Sequence, residues 1–192
     1  MEPVLGQKVQ WMSAEILNGC PLKRTRGISM KIRKAQKEDL PELLTIYNYE
    51  VENGVATFDT TPATEEQRRD WLQNHNIENH PLYVAELDGK AVGYVSLSSF
   101  NDKEAYSGTV ELSLYIGPEY RGRGIGRDLM KFIIELAERE NGIHTIVSLI
   151  TSENKASIQL HQEYGFQYCG TIKEAGYKFG RYLDVDYYQL IL

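Results

Sequence analysis

The spacing of apolar residues changes near the middle of the chain, and this change is the clearest structural pattern in the sequence. From residue 109 to 116 every second residue is apolar, which is the period of a strand with one buried face. After Gly117 and Pro118, apolar residues between Leu129 and Ala137 recur three and four positions apart, which is the period of a helix. The pattern therefore predicts a strand, a glycine-rich turn and a helix in succession.

Similar patterns predict the other elements. Asp88-Gly89 between two alternating segments predicts a hairpin, and Thr64 with Gln67 forms a capping box at a helix start. Further strands are predicted at 31–35, 82–87, 90–100, 144–150, 166–174 and 184–192, and further helices at 38–51, 64–79 and 154–164. Because a strand–helix–strand unit implies a parallel pair, we expect an α/β fold with a mixed, largely antiparallel sheet flanked by helices.

Composition narrows the possible functions. The chain has 192 residues, 42% of them hydrophobic, and a net charge of −6. This size favours one domain, which we place at 30–192 after an extension at 1–29 that is flexible, partly helical or not native to the protein. The acidic balance disfavours a nucleic-acid partner, and residues 1–29 contain no apolar run typical of an export signal, so we expect no membrane partner. Cys20, Cys169 and the histidines lack metal-ligand spacing, which favours a cytoplasmic protein without a metal. We expect Cys169 to lie in the core.

The glycine-rich turn has the features of an anion-binding site. A helix start presents backbone N–H groups without internal partners, and its dipole places partial positive charge there. Glycines let the backbone approach a ligand closely, and the nearby basic residues add full charges. These basic residues are Arg121, Arg123, Arg127 and Lys131. Because they form a local patch on an acidic protein, we expect a small polyanion such as a diphosphate.

Motif spacing indicates which diphosphate carrier binds. The dinucleotide fingerprint fails because residue 127 is arginine where it requires glycine, and the triphosphate-binding loop is absent. The turn reads Arg121-x-x-Gly124-x-Gly126, and here the sequence resembles the GNAT superfamily of acyl-CoA-dependent N-acyltransferases. Segments 154–157 and 160–166 resemble the next element of that superfamily. Segment 176–181 with Asp184 resembles its phosphinothricin and methionine-sulfone N-acetyltransferase branch.

This resemblance runs from about Met30 to the C-terminus and implies the GNAT fold and acetyl-CoA as co-substrate. The oligomeric state stays open, although the resembled branch often forms dimers. It also implies that the backbone of the central strand bonds the pantetheine arm as an added strand would. Asn154 hydrogen-bonds that arm, caps the third helix, or does both. The predicted cofactor-binding residues are Leu114, Tyr115, Ile116, Arg121, Gly122, Arg123, Gly124, Ile125, Gly126, Arg127 and Asn154.

Two side chains are candidates for catalysis. A free α-amino group has a pKa of about 8, so it is largely protonated at neutral pH and needs a general base. Glu111 in the central strand is the candidate base, and the resembled branch has a glutamate in the same T-V-E context; the alternative is an exposed glutamate paired with a cation. His161 lies where much of the superfamily has a tyrosine, so it relays the amine proton, protonates the leaving thiolate, or is only structural. Tyr164 is an alternative acid.

The sequence indicates the residues that bind the acceptor molecule less clearly than those that bind the cofactor. Phe58, Lys178 and Arg181 are the predicted substrate-binding residues, with Tyr83 and Phe100 as further candidates for the pocket wall. The two cations suit a carboxylate or phosphinate, although an arginine and a lysine in a hairpin near the end of a chain more often form a solvated face. No residue stands in a nucleophile elbow, which favours direct attack on acetyl-CoA.

Three functions remain open from the sequence. The first is an enzyme that acetylates the amino group of a small amino-acid-like molecule of the phosphinothricin, methionine sulfone or methionine sulfoximine type. The second acetylates a protein N-terminus or a polyamine. The third is an acyl-CoA-binding module without turnover, for which Glu111 and His161 would be dispensable.

Overall fold

The computed structural model describes residues 20–25, 28–77, 79–139 and 142–192. The strands in these segments are β1 (Cys20–Thr25), β2 (Ile28–Lys34), β3 (Leu82–Leu87), β4 (Lys90–Ser99), β5 (Thr109–Ile116), β6 (Thr145–Thr151), β7 (Gln167–Lys178) and β8 (Arg181–Ile191). The α-helices are α1 (Leu40–Asn53), α2 (Glu65–Gln73), α3 (Ile125–Ala137) and α4 (Lys155–Glu163). None of the helices in these segments has the length and apolar character needed to cross a bilayer.

The described strands form one sheet in the order β1-β2-β3-β4-β5-β6-β8-β7. Every neighbouring pair is antiparallel except β5 and β6, which are parallel and are connected through α3. The predicted mixed α/β fold is therefore confirmed, including its single parallel pair. The parallel pair matters because the chain's candidate chemistry lies at this junction.

Local sequence chemistry explains several element boundaries. Asp88 and Gly89 both have positive φ angles, 49° and 80°, as a tight hairpin turn with right-handed strand twist requires. The predicted capping box is present, since the Thr64 hydroxyl accepts from the Gln67 N–H and the Gln67 side chain accepts from the Thr64 N–H. The hairpin turn and the helix cap both form as the sequence predicts, because each depends on interactions between residues close together in the chain.

Several predictions differ from the structure. β1 falls within the predicted extension at 1–29 and pairs antiparallel with β2, which begins at Ile28, so the boundary at residue 30 falls inside a strand. Residues 1–19, 26 and 27 lie outside the described residues, and the division into an extension and a domain stays a prediction. α2 ends at Gln73, well before residue 79. The last two strands extend to a turn at Phe179 and Gly180, beyond the predicted ends at 174 and 184.

Cys169, which we expected in the core, is exposed. The pairing of β7 with β8 shifts register between Tyr168 and Gly170, so Cys169 occupies the extra position of a β-bulge in an edge strand. A bulge breaks the two-residue alternation that otherwise separates inward from outward side chains. The sequence pattern therefore placed this residue on the wrong side.

Each face of the sheet carries its own apolar cluster. On one face α3 packs on the middle strands through Leu129, Met130 and Ile133, which are fully buried. On the other face α1 and α2 cover residues of β3 and β4 that include Leu82, Val84 and Tyr94. Because helices pack on both faces, the central strands are held rigidly and fix the positions of the groups at their ends.

The parallel pair separates before either strand ends. Pairing between β5 and β6 stops at Glu111 opposite Val147, while β5 continues to Ile116 and β6 to Thr151. Beyond this point β5 is bonded only on its β4 side, so a fork opens between the two strands. The unpaired inner edge of β5 lines the opening.

Candidate active site

A cleft of about 810 Å³ occupies the fork and continues to the start of α3. Twelve of the sixteen predicted site residues line it. These are Glu111, Leu114, Tyr115, Ile116, Arg121, Gly122, Gly124, Ile125, Gly126, Arg127, Asn154 and His161. The fold thus brings the predicted catalytic residues and the glycine-rich turn into one cavity.

The start of α3 is built from backbone groups. Gly124 is the N-cap residue with a φ of 87°, and Gly122 has a φ of 73°, a region that side chains strongly disfavour. The first helical bond runs from the Asp128 N–H to the Gly124 carbonyl, so the preceding three amides have no acceptor within the helix. A Cβ added at either glycine would meet nothing within 4 Å, which shows open space in front of these amides. The geometry suits a bound anion.

Two arginines at the cleft rim are paired with carboxylates. Arg121 forms an ion pair with Glu50 and donates through Nε to the Ile116 carbonyl at 3.2 Å. Arg127 binds Glu163 through two nitrogens, at 2.9 and 3.1 Å. Both guanidinium groups are therefore already oriented at the rim.

Two other basic residues of the predicted patch do not line the cleft. Arg123 donates to the Glu119 carbonyl at 2.8 Å, and Lys131 lies 3.7 Å from Glu135 one helical turn away. Of the four basic residues in the predicted patch, Arg121 and Arg127 therefore line the cleft.

The inner edge of β5 and the cap of α4 face each other across the cleft. Leu114, Tyr115 and Ile116 line it beyond the last β6 pairing, which leaves an edge suited to an extended amide chain. Asn154 caps α4 by accepting the Ser157 N–H at 3.2 Å and also lines the cleft. Its capping role is therefore established, and contact with a pantetheine arm stays a prediction.

Glu111 is the last residue of β5 to pair with β6. Its carboxylate is half-buried, and burial raises the pKa of Glu111 above the ordinary carboxyl value. None of the described residues donates a hydrogen bond or a salt bridge to it. The alternative of a surface glutamate paired with a cation therefore has no support, and the group is suited to accept a proton from a bound molecule.

His161 lies in α4 with 3% of its surface exposed. Its Nδ1 lies 2.7 Å from the Ser157 carbonyl, which can only accept, so Nδ1 carries the proton. Nε2 is buried and has no partner among the described residues. Burial lowers the pKa of His161, which favours the neutral ring with a lone pair on Nε2. Tyr164, the alternative acid, donates instead to the Arg127 carbonyl at 2.9 Å and lies outside the cleft lining.

The three predicted substrate-binding residues do not line this cleft. Phe58 packs against Gly176, where an added Cβ would lie 2.5 Å from the ring. Lys178 is 3% exposed, and its ammonium donates to the carbonyls of residues 50, 54 and 57 at 3.1, 2.9 and 2.9 Å. Arg181 is exposed and paired with Glu153. Their predicted contact with substrate stays a prediction, and the two cations already have protein partners.

The further candidates for the pocket wall also lie elsewhere. Tyr83 packs on Phe132 and Phe100 on Tyr106, outside the cleft lining.

The sequence did not identify the segment after α1 as part of the cleft wall. Residues 54–56, which follow α1, line the cleft. They are held by the Lys178 ammonium, by the Tyr115 hydroxyl donating to the Ala56 carbonyl at 3.3 Å and by the Thr151 hydroxyl donating to Val55. These partners lie about 60 to 120 residues away in the chain, so only the folded chain reveals the arrangement.

Residues 32–186 match the acetyltransferase (GNAT) domain family. The chain belongs to this family. Among curated relatives, the methionine sulfoximine/methionine sulfone acetyltransferase of Pseudomonas aeruginosa is 39% identical over 166 residues, covering 86% of this chain and 96% of the relative.

Two solved GNAT structures superpose closely. The ribosomal-protein-alanine N-acetyltransferase of Brucella melitensis is 45% identical with a TM-score of 0.81, covering 84% of this chain and 99% of that one. The phosphinothricin acetyltransferase of Sinorhizobium meliloti, solved with acetyl-CoA, is 34% identical with a TM-score of 0.81, covering 85% and 88%.

Proposed function

We propose that this GNAT protein transfers the acetyl group of acetyl-CoA to the amino group of a small amino-acid-like acceptor, by direct attack in a ternary complex. The observation that carries the proposal is the position of Glu111. A half-buried carboxylate with no partner among the described residues lies at the fork of the same cleft whose other end presents the amides at the start of α3.

The residues of the cleft fit acetyl-CoA. The amides at the start of α3, beside Arg121 and Arg127, would hold the pyrophosphate. The inner edge of β5 from Leu114 to Ile116 would hold the pantetheine amides, with Asn154 opposite. When bound, acetyl-CoA supplies the activated acetyl group as a thioester. This arrangement places the reacting end of the arm toward the fork, where Glu111 lies.

Glu111 would act as the general base. An α-ammonium group with a pKa of about 8 must lose a proton before it can attack. Because burial raises the pKa of Glu111, its basicity is closer to that of the amine than an ordinary carboxylate would be. Only the ionised form of this carboxyl can accept the proton.

His161 is better suited to accept a proton than to donate one. Its proton is on Nδ1 and bound to the Ser157 carbonyl, whereas the free lone pair is on Nε2. Of the two roles that the sequence left open, this tautomer supports relay of the amine proton. The Ser157 hydroxyl is 3.4 Å from Nδ1, but a protonated nitrogen cannot activate it as a nucleophile. This supports direct transfer.

Two acceptor classes have specific support. The Pseudomonas aeruginosa relative is named for methionine sulfoximine and methionine sulfone, and the Sinorhizobium meliloti structure for phosphinothricin. These names support a small acceptor that carries an α-amino group. The Brucella melitensis structure is named for a ribosomal-protein alanine, which supports a protein N-terminus as the second candidate.

We also propose a cytoplasmic homodimer. The β7–β8 hairpin exposes aromatic and aliphatic side chains along the edge of the sheet, a composition that favours contact with a second copy. These side chains are Tyr168, Ile172, Tyr177, Phe179 and Tyr182. The exposed free thiol of Cys169 is consistent with a reducing compartment. Sedimentation equilibrium tests the dimer, and a monomer at micromolar concentration would contradict it.

The central test measures release of free CoA with phosphinothricin, methionine sulfone, methionine sulfoximine, spermidine and a peptide with a free N-terminus. We expect the highest kcat/KM with one of the first three. Glu111→Gln should lower turnover of that acceptor at least about tenfold and leave acetyl-CoA affinity nearly unchanged. Glu104→Gln, which changes an exposed glutamate before the same strand, is the matched control and should be silent.

The outcomes separate the alternatives. Unchanged turnover in Glu111→Gln would exclude Glu111 as the base. Preference for the peptide would favour the second acceptor class, and acetyl-CoA binding without turnover of any acceptor would indicate a binding module.

A further inference from the structure

A second cavity, of about 500 Å³, lies between α1, α2 and the connection that joins them. Tyr47 of α1 and Arg68 and Trp71 of α2 form its walls, and residues 59–62 of the connection are exposed at its rim. None of the described residues that line it also lines the catalytic cleft. The cavity is therefore a separate space that a small molecule can enter from solvent.

Arg68 brings a buried charge to this cavity. It is 6% exposed, and its guanidinium forms no ion pair with an aspartate or glutamate in the described segments. Its described hydrogen bond runs from Nη2 to the Tyr94 hydroxyl at 2.5 Å. Burial raises the pKa of Tyr94, so this partner stays an uncharged hydroxyl. Because arginine is always protonated and is seldom buried without a counter-ion, the arrangement favours binding of an anion.

Aromatic rings cover the faces of this guanidinium and leave its edge. The guanidinium carbon lies 3.5 Å from the centroid of the Trp71 ring and 4.4 Å from that of Tyr47. Such contacts favour burial of the charge, but the N–H groups lie in the guanidinium plane and point away from rings stacked on its faces. Among the described residues only the Tyr94 hydroxyl accepts from one of them. Donors therefore remain for a planar anion such as a carboxylate, which can accept two parallel bonds.

A group of opposite charge lies at the far end of Tyr47. The Tyr47 hydroxyl donates to the Asp59 carboxylate at 2.5 Å, while its ring lies beside the Arg68 guanidinium. Asp59 and Arg68 thus both line the cavity, yet the tyrosine ring separates them and they do not pair with each other. One small molecule with a carboxylate and an ammonium group can contact both. An α-amino acid in its zwitterionic form carries these two groups on a single carbon atom.

This cavity lies too far from Glu111 to hold the acceptor during transfer. Tyr94, which binds Arg68, pairs opposite Tyr115, whereas Ser98 pairs opposite Glu111. Four residues of a strand span about 13 Å. Because the ammonium of an α-amino acid is attached beside its carboxylate, a molecule held by Arg68 cannot deliver its amine to Glu111.

We propose that this cavity binds a free α-amino acid with an apolar side chain, at a site distinct from the acceptor site of the catalytic cleft. Arg68 holds the carboxylate and Asp59 the ammonium group. The rings of Tyr47 and Trp71, with Pro62, form the wall that contacts the apolar side chain. The inference goes beyond the proposed acetyl transfer and does not depend on Glu111 being the base.

The fluorescence of Trp71 reports on this cavity directly. The chain has two tryptophans, so Trp11→Phe leaves Trp71 as the single one. Titration of this variant with L-methionine, in the presence of saturating coenzyme A, should give a saturable change with a Kd of roughly 1 mM. The absence of a change up to about 50 mM would overturn the proposal, because two charged contacts should give measurable binding in that range.

Two analogues of methionine test the requirement for both charges. L-methionine amide keeps the ammonium group and replaces the carboxylate by a neutral amide. The desamino analogue keeps the carboxylate and replaces the amino group by hydrogen. Each should bind at least about tenfold more weakly than L-methionine, because each loses one charged contact. Equal binding of either analogue would refute the zwitterion site.

Variants locate the site. Asp59→Asn keeps an acceptor for the Tyr47 hydroxyl and removes the charge, and Arg68→Lys keeps the charge and removes the planar pair of donors. Both, in the Trp11→Phe background, should weaken L-methionine binding at least about fivefold. Asp88→Asn changes an exposed aspartate in the β3–β4 turn and is the matched control, with unchanged binding. Because Asp59 is exposed, Asp59→Asn stays a valid test even where Arg68→Lys fails to fold.

Glu111→Gln separates this inference from the proposed function. In the Trp11→Phe background it should leave the Trp71 response to L-methionine unchanged, whether or not it lowers turnover. Loss of the response in Glu111→Gln, with binding retained in Asp59→Asn, would place the amino acid in the catalytic cleft and refute the second site.

Discussion

Backbone groups line one end of the cleft, and side chains line the other. At the α3 end the groups that face the cavity are backbone amides, exposed by Gly122 and Gly124 and by the unpaired edge of β5. At the fork the groups that face the cavity are side chains, chiefly those of Glu111 and His161. Residues 54–56 line the same end, and the Lys178 ammonium donates a hydrogen bond to the Gly54 carbonyl. One end is defined by the path of the chain, and the other by individual residues from distant parts of it.

In the proposed function, the end lined by backbone amides binds the cofactor and the end lined by side chains binds the acceptor. A site made of backbone keeps its geometry when neighbouring side chains change, provided that the required glycines remain. A site made of side chains can change specificity through one substitution. Relatives of 34% to 45% identity with nearly the same fold carry names that specify different acceptors. Acceptor choice should therefore respond to changes at the fork and not at the turn.

The largest expected effect is at the backbone end. Gly124→Val introduces a β-branched side chain at a φ of 87° and fills the open space before the α3 amides. We expect acetyl-CoA affinity to fall at least about tenfold, since one lost anion contact alone is of that size. Isothermal titration calorimetry measures it.

Gly89→Val is the matched control for that variant. Gly89 has a similar φ of 80° and equally open surroundings, but it lies in the β3–β4 turn. It should suffer the same backbone strain without loss of affinity. Equal losses in the two variants would attribute the effect to strain and move the pyrophosphate site elsewhere.

The next largest effect should be on stability, at the buried Lys178 ammonium that binds the segment after α1. Lys178→Met leaves three carbonyls without their buried donor, so the free energy of unfolding should fall by about 2 to 4 kcal/mol. Arg181→Met removes an exposed ion pair and should change stability little. Denaturant unfolding compares them. If Lys178 instead held the acceptor carboxylate, its variant would raise the acceptor KM while stability stayed unchanged.

The smallest effect is a gain in stability at the fork. Because burial raises the pKa of Glu111 in the folded state, its ionised form is disfavoured there above the folded pKa. Glu111→Gln should therefore raise the Tm by roughly one to three degrees at neutral pH. The gain should disappear as pH falls below the ordinary carboxyl pKa, where the group is protonated in both states. Calorimetry that found Glu111→Gln less stable at neutral pH would imply a stabilising partner for the carboxylate.

Predictions based on neighbouring residues held. The Asp88-Gly89 turn, the Thr64 capping box and the β5–turn–α3 unit each depend on interactions within a few residues, so the sequence contained what was needed. The same locality made the glycine-rich turn and its resemblance to the GNAT superfamily recognisable, while anion binding at the start of α3 stays a prediction. Predictions that depended on regular alternation failed where a bulge interrupted it, as at Cys169.

What the sequence by itself determined is the path of the chain around the glycine-rich turn, the family, and two candidate groups, Glu111 and His161. Only the tertiary structure decided what surrounds them. It paired Arg121 with Glu50 and bound the Lys178 ammonium to the carbonyls of residues 50, 54 and 57. Local motifs act through bonds between near neighbours, whereas burial, partner choice and pKa depend on residues far apart in sequence that meet only when the sheet has formed.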